Sequence, residues 1–102
     1  MPTMSQAGVY SAVMHYLLAI AAAKTDQAAP VVTSMKAAPI NDMFATNGKI
    51  REDGRMVNDM YLVQVKAPAD VKQPWDYYKV IDTFKGEAAW QTKADSKCPL
   101  WK

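Results

Sequence analysis

Few residues in this chain have the type and spacing to do chemistry. There is one histidine, His15, and one cysteine, Cys98, in 102 residues. A nucleophile needs a base beside it, and no Ser-His-Asp or Cys-His arrangement can be assembled from local signatures here. A lone Cys98 excludes an intrachain disulfide and a thiolate zinc cage, leaving it free or intermolecular. His15 lies more than a turn inside an apolar segment, where a packed histidine is expected rather than a ligand contact. Asp53 and Asp59 could form a carboxylate pair for acid–base work or metal binding. However, Asp53 belongs to an Asp-Gly turn dipeptide and Asp59 opens a strand, so turn chemistry accounts for both. Tyr61, Trp75, Tyr77 and Tyr78 could stack bases only beside a basic groove, and sheet packing explains them without one. The sequence therefore reads as a non-enzyme, with no cofactor and no metal site.

Charge narrows the partners further. Twelve Lys+Arg against ten Asp+Glu leave +2, spread over single residues such as Lys24, Lys36, Lys49, Arg51 and Arg55, so no nucleic-acid partner is indicated. With 50 % hydrophobic and 22 % charged residues the composition is globular and the length suits one ordinary domain.

The elements that must position these residues follow from periodicity. Residues 7–23 are mostly apolar, and Ala21-Ala22-Ala23 imitates a signal cleavage site. No basic residue precedes the stretch, and Gln6, Ser11 and His15 interrupt it, so a buried soluble helix is expected rather than a signal peptide or a span. Thr3 and Ser5 can cap it. Val9, Val13, Leu17 and Ile20 form one apolar stripe, and Tyr10, Met14, Leu18 and Ala21 form a second beside it. Such a helix needs cover around most of its circumference, and its neighbours in this chain offer little. Gln6 and Tyr10 sit at its start, where free N–H groups and the helix dipole favour an anionic group, although ordinary helix-start packing also suits them.

A second helix is expected from about Asp26, or from Pro30 in its first turn, to about Ala38, with Val31, Val32 and Met35 inward. Asn47-Gly48 and Asp53-Gly54 then bracket a hairpin. The segment 60–66 reads as a strand dense enough in apolar residues to be central, 67–74 as a connector, and 75–84 as a second strand around Tyr77–Ile81. The tail from Glu87 carries at most a helical turn near Ala88-Ala89-Trp90.

Three blocks resemble the type I periplasmic solute-binding proteins, the leucine/isoleucine/valine receptor family of ABC transporters. Residues 6–17, Gln-Ala-Gly-Val-Tyr-Ser-Ala-Val-Met-His-Tyr-Leu, are similar to the family's Tyr-x-Ala helix. Residues 47–56, Asn-Gly-Lys-Ile-Arg-Glu-Asp-Gly-Arg-Met, are similar to its Asn-Gly-x-Ile-x-x-Asp-Gly hairpin. The run 59–66 followed by 74–80, together with Cys98-Pro99-Leu100, resembles a bacterial subgroup with that tail.

The resemblance implies an α/β chain that is an incomplete, C-terminal piece of a two-lobe fold: two helices, a hairpin and two strands. Residues 1–66 would complete the first lobe, while 67–102 would hold a hinge-crossing connector, a strand and a tail of the second lobe. It implies a periplasmic receptor that closes its lobes on a small-molecule ligand, commonly an amino acid, amide or aromatic carboxylate, and docks on an ABC transporter permease. It does not insert in the membrane. Gln6 and Tyr10 would then stand at the cleft edge. Most ligand contacts would lie outside this chain, so weak or absent binding is expected from it alone. The alternative is a free-standing small α/β interaction module that covers its first helix with a second copy.

Overall fold

The computed structural model describes residues 2–101. Helix α1 spans Met4–Ala23 and α2 spans Ala28–Ala37. Thr3 caps α1 in a reciprocal box: its hydroxyl accepts from the Gln6 amide at 3.3 Å, and its own amide donates to Gln6 Oε1 at 2.9 Å. The helix ends at Lys24, in the left-handed conformation at φ 53°. Pro30 falls in the first turn of α2, where its missing N–H is not needed.

Packing corrects one expectation. The residues that α1 buries are Ser11, His15 and Ala19, the small and polar stripe, and not either apolar one. Val9, Val13 and Leu17 lie roughly 200° round the helix from that stripe and are about half exposed or more. The helix is therefore uncovered rather than buried, because α2 is the one helix it meets and that contact uses the opposite face. The core is correspondingly small: Ala19, Val31, Ile40, Ala45 and Val57 are the buried apolar side chains among the described residues.

A short antiparallel hairpin follows, β1 Lys49–Ile50 with β2 Met56–Val57, closed by an Arg51–Arg55 turn that places Gly54 at φ 84°. Its entry is anchored where Ile40 and Gly48 exchange two backbone hydrogen bonds, at 2.7 and 2.9 Å. Asn47, just before Gly48, takes a left-handed conformation that Asn tolerates, and its amide donates to Asn41 Oδ1.

Strands β3 Met60–Val65 and β4 Tyr78–Phe84 form a separate antiparallel ribbon. The pairing slips once: Leu62 faces Asp82 and Val63 faces Val80, so Ile81 is the extra residue of a bulge. Residue 60 onward was expected to be a central strand. Instead β3 has one partner, and all of it but Met60 is exposed. A short 3-10 turn at Pro68–Asp70 and another at Gly86–Ala89 complete the described elements. The molecule is elongated, 52 × 34 × 18 Å.

Candidate functional site

Two constellations of polar side chains stand out, one under α1 and one on the hairpin. Beneath α1, His15 Nε2 donates to the Met35 carbonyl at 2.9 Å, fixing the helix pair. Beyond α2 the chain turns at Asp42, whose Oδ1 accepts from the Phe44 and Ala45 amides at 2.8 and 2.9 Å. Burial pushes the Asp42 carboxyl up, but the Ser11 hydroxyl, the Ala45 and Phe44 amides and His15 outweigh it and leave it below its ordinary value. Ser11 Oγ faces that carboxylate without reaching hydrogen-bond geometry and has no other partner. A groove of about 340 Å³ opens here, with Tyr10, Met14, His15 and Leu18 on one wall and residues 39–43 on the other.

The structure separates the two residues proposed from sequence. Tyr10 lines this groove, 47 % exposed. Gln6 does not, because its side-chain carbonyl is engaged in the Thr3 cap. His15 is a packed histidine, as expected from its place in the helix. Among the described residues no group of three His, Cys, Asp or Glu is placed to hold a metal ion.

The second constellation centres on Arg51, whose side chain is 8 % exposed. Its Nη2 and Nε donate to the two Asp53 oxygens at 2.8 and 3.2 Å. Its Nη1 reaches Glu87 Oε2 at 3.0 Å and the Gln91 carbonyl at 3.1 Å, and the guanidinium lies 3.8 Å from the centre of the Trp101 ring. The Asp53 hydrogen bond, with Glu87, raises Arg51 above its ordinary value against the opposing cost of desolvation, and the same bond lowers Asp53. Lys49 lowers Glu87 first, at 2.8 Å, with Arg51 adding to it. Arg55 stacks over Trp90, and Trp90 Nε1 donates to the Asn58 carbonyl.

Sequence reasoning explained Asp53 as a turn residue, and its Oδ1 does accept the Arg55 amide. It missed the clasp, because Arg51 and Glu87 are 36 positions apart and neither carries a local motif. Asp59 also does more than open a strand: it accepts from Lys85 Nζ and the Gly86 amide, closing the base of the ribbon, and Lys85 lowers its carboxyl most. Tyr61, Tyr77, Tyr78 and Trp75 are exposed on or beside the ribbon rather than packed as expected, because among the described elements each ribbon strand has one partner, and Cys98 is a half-buried free thiol.

What decides the class is likeness along the chain: a sequence model of the periplasmic binding protein family matches residues 1–71. The chain belongs to the periplasmic binding protein family. Proteins of this family bind their ligands and catalyse no reaction. A periplasmic binding protein from Burkholderia mallei superposes on the whole chain with a TM-score of 0.94 at 47 % identity. A branched-chain amino acid ABC transporter periplasmic ligand-binding protein from Burkholderia xenovorans does so with a TM-score of 0.92 at 40 % identity. The chain spans 27 % of the length of each. No curated protein matches it.

Membership also settles how α1 should be viewed. By length and a mean hydropathy of 1.3 the helix could cross a membrane, and 17 % of its apolar window is buried. The family match runs through it, and the solved relatives cover the whole chain, so its bare stripes are those of a helix in a periplasmic binding protein fold.

Proposed function

We propose that this chain is the closing portion of a periplasmic receptor that delivers an amino-acid-type solute to an ABC transporter permease by closing two lobes. The observation that carries this reading is the complete superposition on about a quarter of two solved binding proteins. It is supported by the bare face of α1, which asks for the layers that the rest of such a receptor supplies. In this reading residues 1–66 belong to the first lobe, and the connector and strand of 67–102 reach toward the second, while the tail, expected there too, is bonded back to the hairpin by Arg51 and Asn58. Tyr10 and Gln6 stand at the cleft edge, Tyr10 by its ring and Gln6 by its place in the first turn of α1, where its amide and side-chain carbonyl are spent on the Thr3 cap. The receptor works in the periplasm, where a permease in the membrane receives its load.

The test is a chimera in which this chain replaces the matching 27 % of the B. xenovorans protein. Calorimetry with leucine, isoleucine, valine, glutamate, an amide and a benzoate should find one of these bound, and Tyr10→Ala should weaken it by about tenfold. The isolated chain should bind none below millimolar concentration, because half a cleft cannot recover the ordering cost of a ligand. A folded chimera that binds nothing, or tight binding by the chain alone, would refute the proposal. A free-standing module that covers α1 with a second copy would show itself as a stable dimer of the isolated chain.

A further inference from the structure

The hairpin clasp holds the segment after β4 at several points. Arg51 holds the tail at three separate points, Glu87, the Gln91 carbonyl and the Trp101 ring, while Asp53 holds Arg51 from behind. Arg55 and Asn58 hold Trp90 between them. Lys85 and Gly86, where β4 ends, are both bonded to Asp59, just before β3 begins. The ribbon therefore leaves the hairpin layer and returns to it through one tied base. Beyond that base the β3–β4 ribbon stands free, with both strands largely exposed and with its bulge at Ile81, three residues in from Phe84 of the last pair of the ladder, Met60–Phe84.

We propose that Arg51 is a positioning residue, and that the tail it clasps is a strap fixing the direction in which the β3–β4 ribbon leaves the hairpin layer. This rests on the reading above, in which the ribbon joins the lobes. A two-stranded ribbon is soft to bending and twisting, and a bulge makes it softer at one place. Clasping the returning end confines bending to the part beyond the tied base, so the lobes move about one place. Without Arg51 the Asp53 carboxylate loses its charged partner and keeps the Arg55 amide, Glu87 keeps Lys49 alone, and Trp101 loses the surface it stacks on. The strap then lifts, and the whole ribbon becomes free to swing.

Hydrogen exchange and a spin-label distance test this in the chimera. With Cys98→Ser, and with the relative's own cysteines changed to Ser, labels at Asp26→Cys and Gln73→Cys report the ribbon tip against the turn between the helices. Arg51→Met should speed exchange of amides 86–101 at least tenfold and broaden the distance distribution about twofold, while α1 and α2 keep their protection. Arg51→Lys, which retains the charge but not the fork, should fall between Arg51→Met and the native chain. Equal tail protection and equal distance width in Arg51→Met and the native chimera would overturn the proposal, as would a tail without protection in the native chimera. Because the strap is read by exchange and distance, its failure leaves the receptor reading standing, and a chimera that binds no ligand still decides the strap.

Discussion

Taken by itself, the chain should not unfold as a cooperative unit, and the size of the shortfall follows from its surface. A compact protein of 11.3 kDa exposes about 5,700 Å². This one exposes 7770 Å². The excess, about 2,000 Å², is as large as a substantial protein interface, and a little over half of such surface is apolar. At 25 cal/mol per Å² the apolar part corresponds to about 30 kcal/mol of burial that is missing, against the 5–15 kcal/mol by which whole domains are usually stable. The radius of gyration agrees: 16.7 Å is observed, where about 13 Å suits a compact chain of this length. The perturbation is simply to isolate the chain, and the assay is a thermal melt followed by circular dichroism with light scattering. The expected result is a broad, uncooperative loss of signal or soluble aggregates, with a cooperative transition regained in the chimera. A sharp transition from a monodisperse monomer would refute the area reasoning, because it would mean that five small buried side chains suffice.

Within the chimera three further outcomes are expected. Val31→Ala removes two buried methyl groups at a site 1 % exposed and should cost about 2 kcal/mol by urea unfolding, whereas less than 0.5 kcal/mol would mean that the helix pair is loosely packed. Gly48→Ala adds a methyl 3.2 Å from Met56 Cε and 3.3 Å from both Ala45 Cβ and Ile40 Cβ. The Met56 end can move, but the other two are fixed to backbone held by the Ile40–Gly48 bridge, so the cost should be about 1–3 kcal/mol, and a neutral result would show that the bridge yields. Asp53 and Glu87 are held below their ordinary values, chiefly by Arg51 and by Lys49 respectively, so their contribution to the clasp is fully present above pH ~5 and is lost as pH falls through the lowered values. The Arg51 Nε–H resonance should accordingly stay at its bound position at pH 6 and move to the free position only on acidification past the point where unpaired carboxylates titrate, and a resonance unmoved once Asp53 and Glu87 are protonated would contradict the clasp.

Much of the local structure was legible because local chemistry wrote it. Of the two caps offered, Thr3 is the one used while Ser5 lies inside the helix; Asp53-Gly54 announced the turn, and Pro68 and Pro74 the break between the two strands, each through hydrogen bonds or dihedral limits within a few residues. The family was legible for a related reason, since its blocks are short runs of fixed spacing. Periodicity gave the right elements and the wrong inner face. The stripes of α1 are apolar where something other than α2 must cover them, while Ser11, His15 and Ala19 meet the one helical neighbour present. An amphipathic pattern shows which residues seek cover but not which neighbour is at hand to give it.

The same distinction explains the site. A helix start and a stripe locate Tyr10 to within a turn, and its ring lines the groove beside α1. Asp42 could not be located so, because its carboxylate takes its character from Ser11, thirty-one positions back, and from two amides presented by a turn with no strong dipeptide signature. Arg51 was harder still. Its hydrogen bonds to Asp53 are local, but its grip on Glu87, Gln91 and Trp101 exists only because the ribbon runs out and back before the tail begins. A bond of that kind depends on the whole excursion from Met60 to Phe84 being in place. The bulge within that excursion and the clasp at its base thus belong together: the one softens the ribbon, and the other determines the end from which it bends.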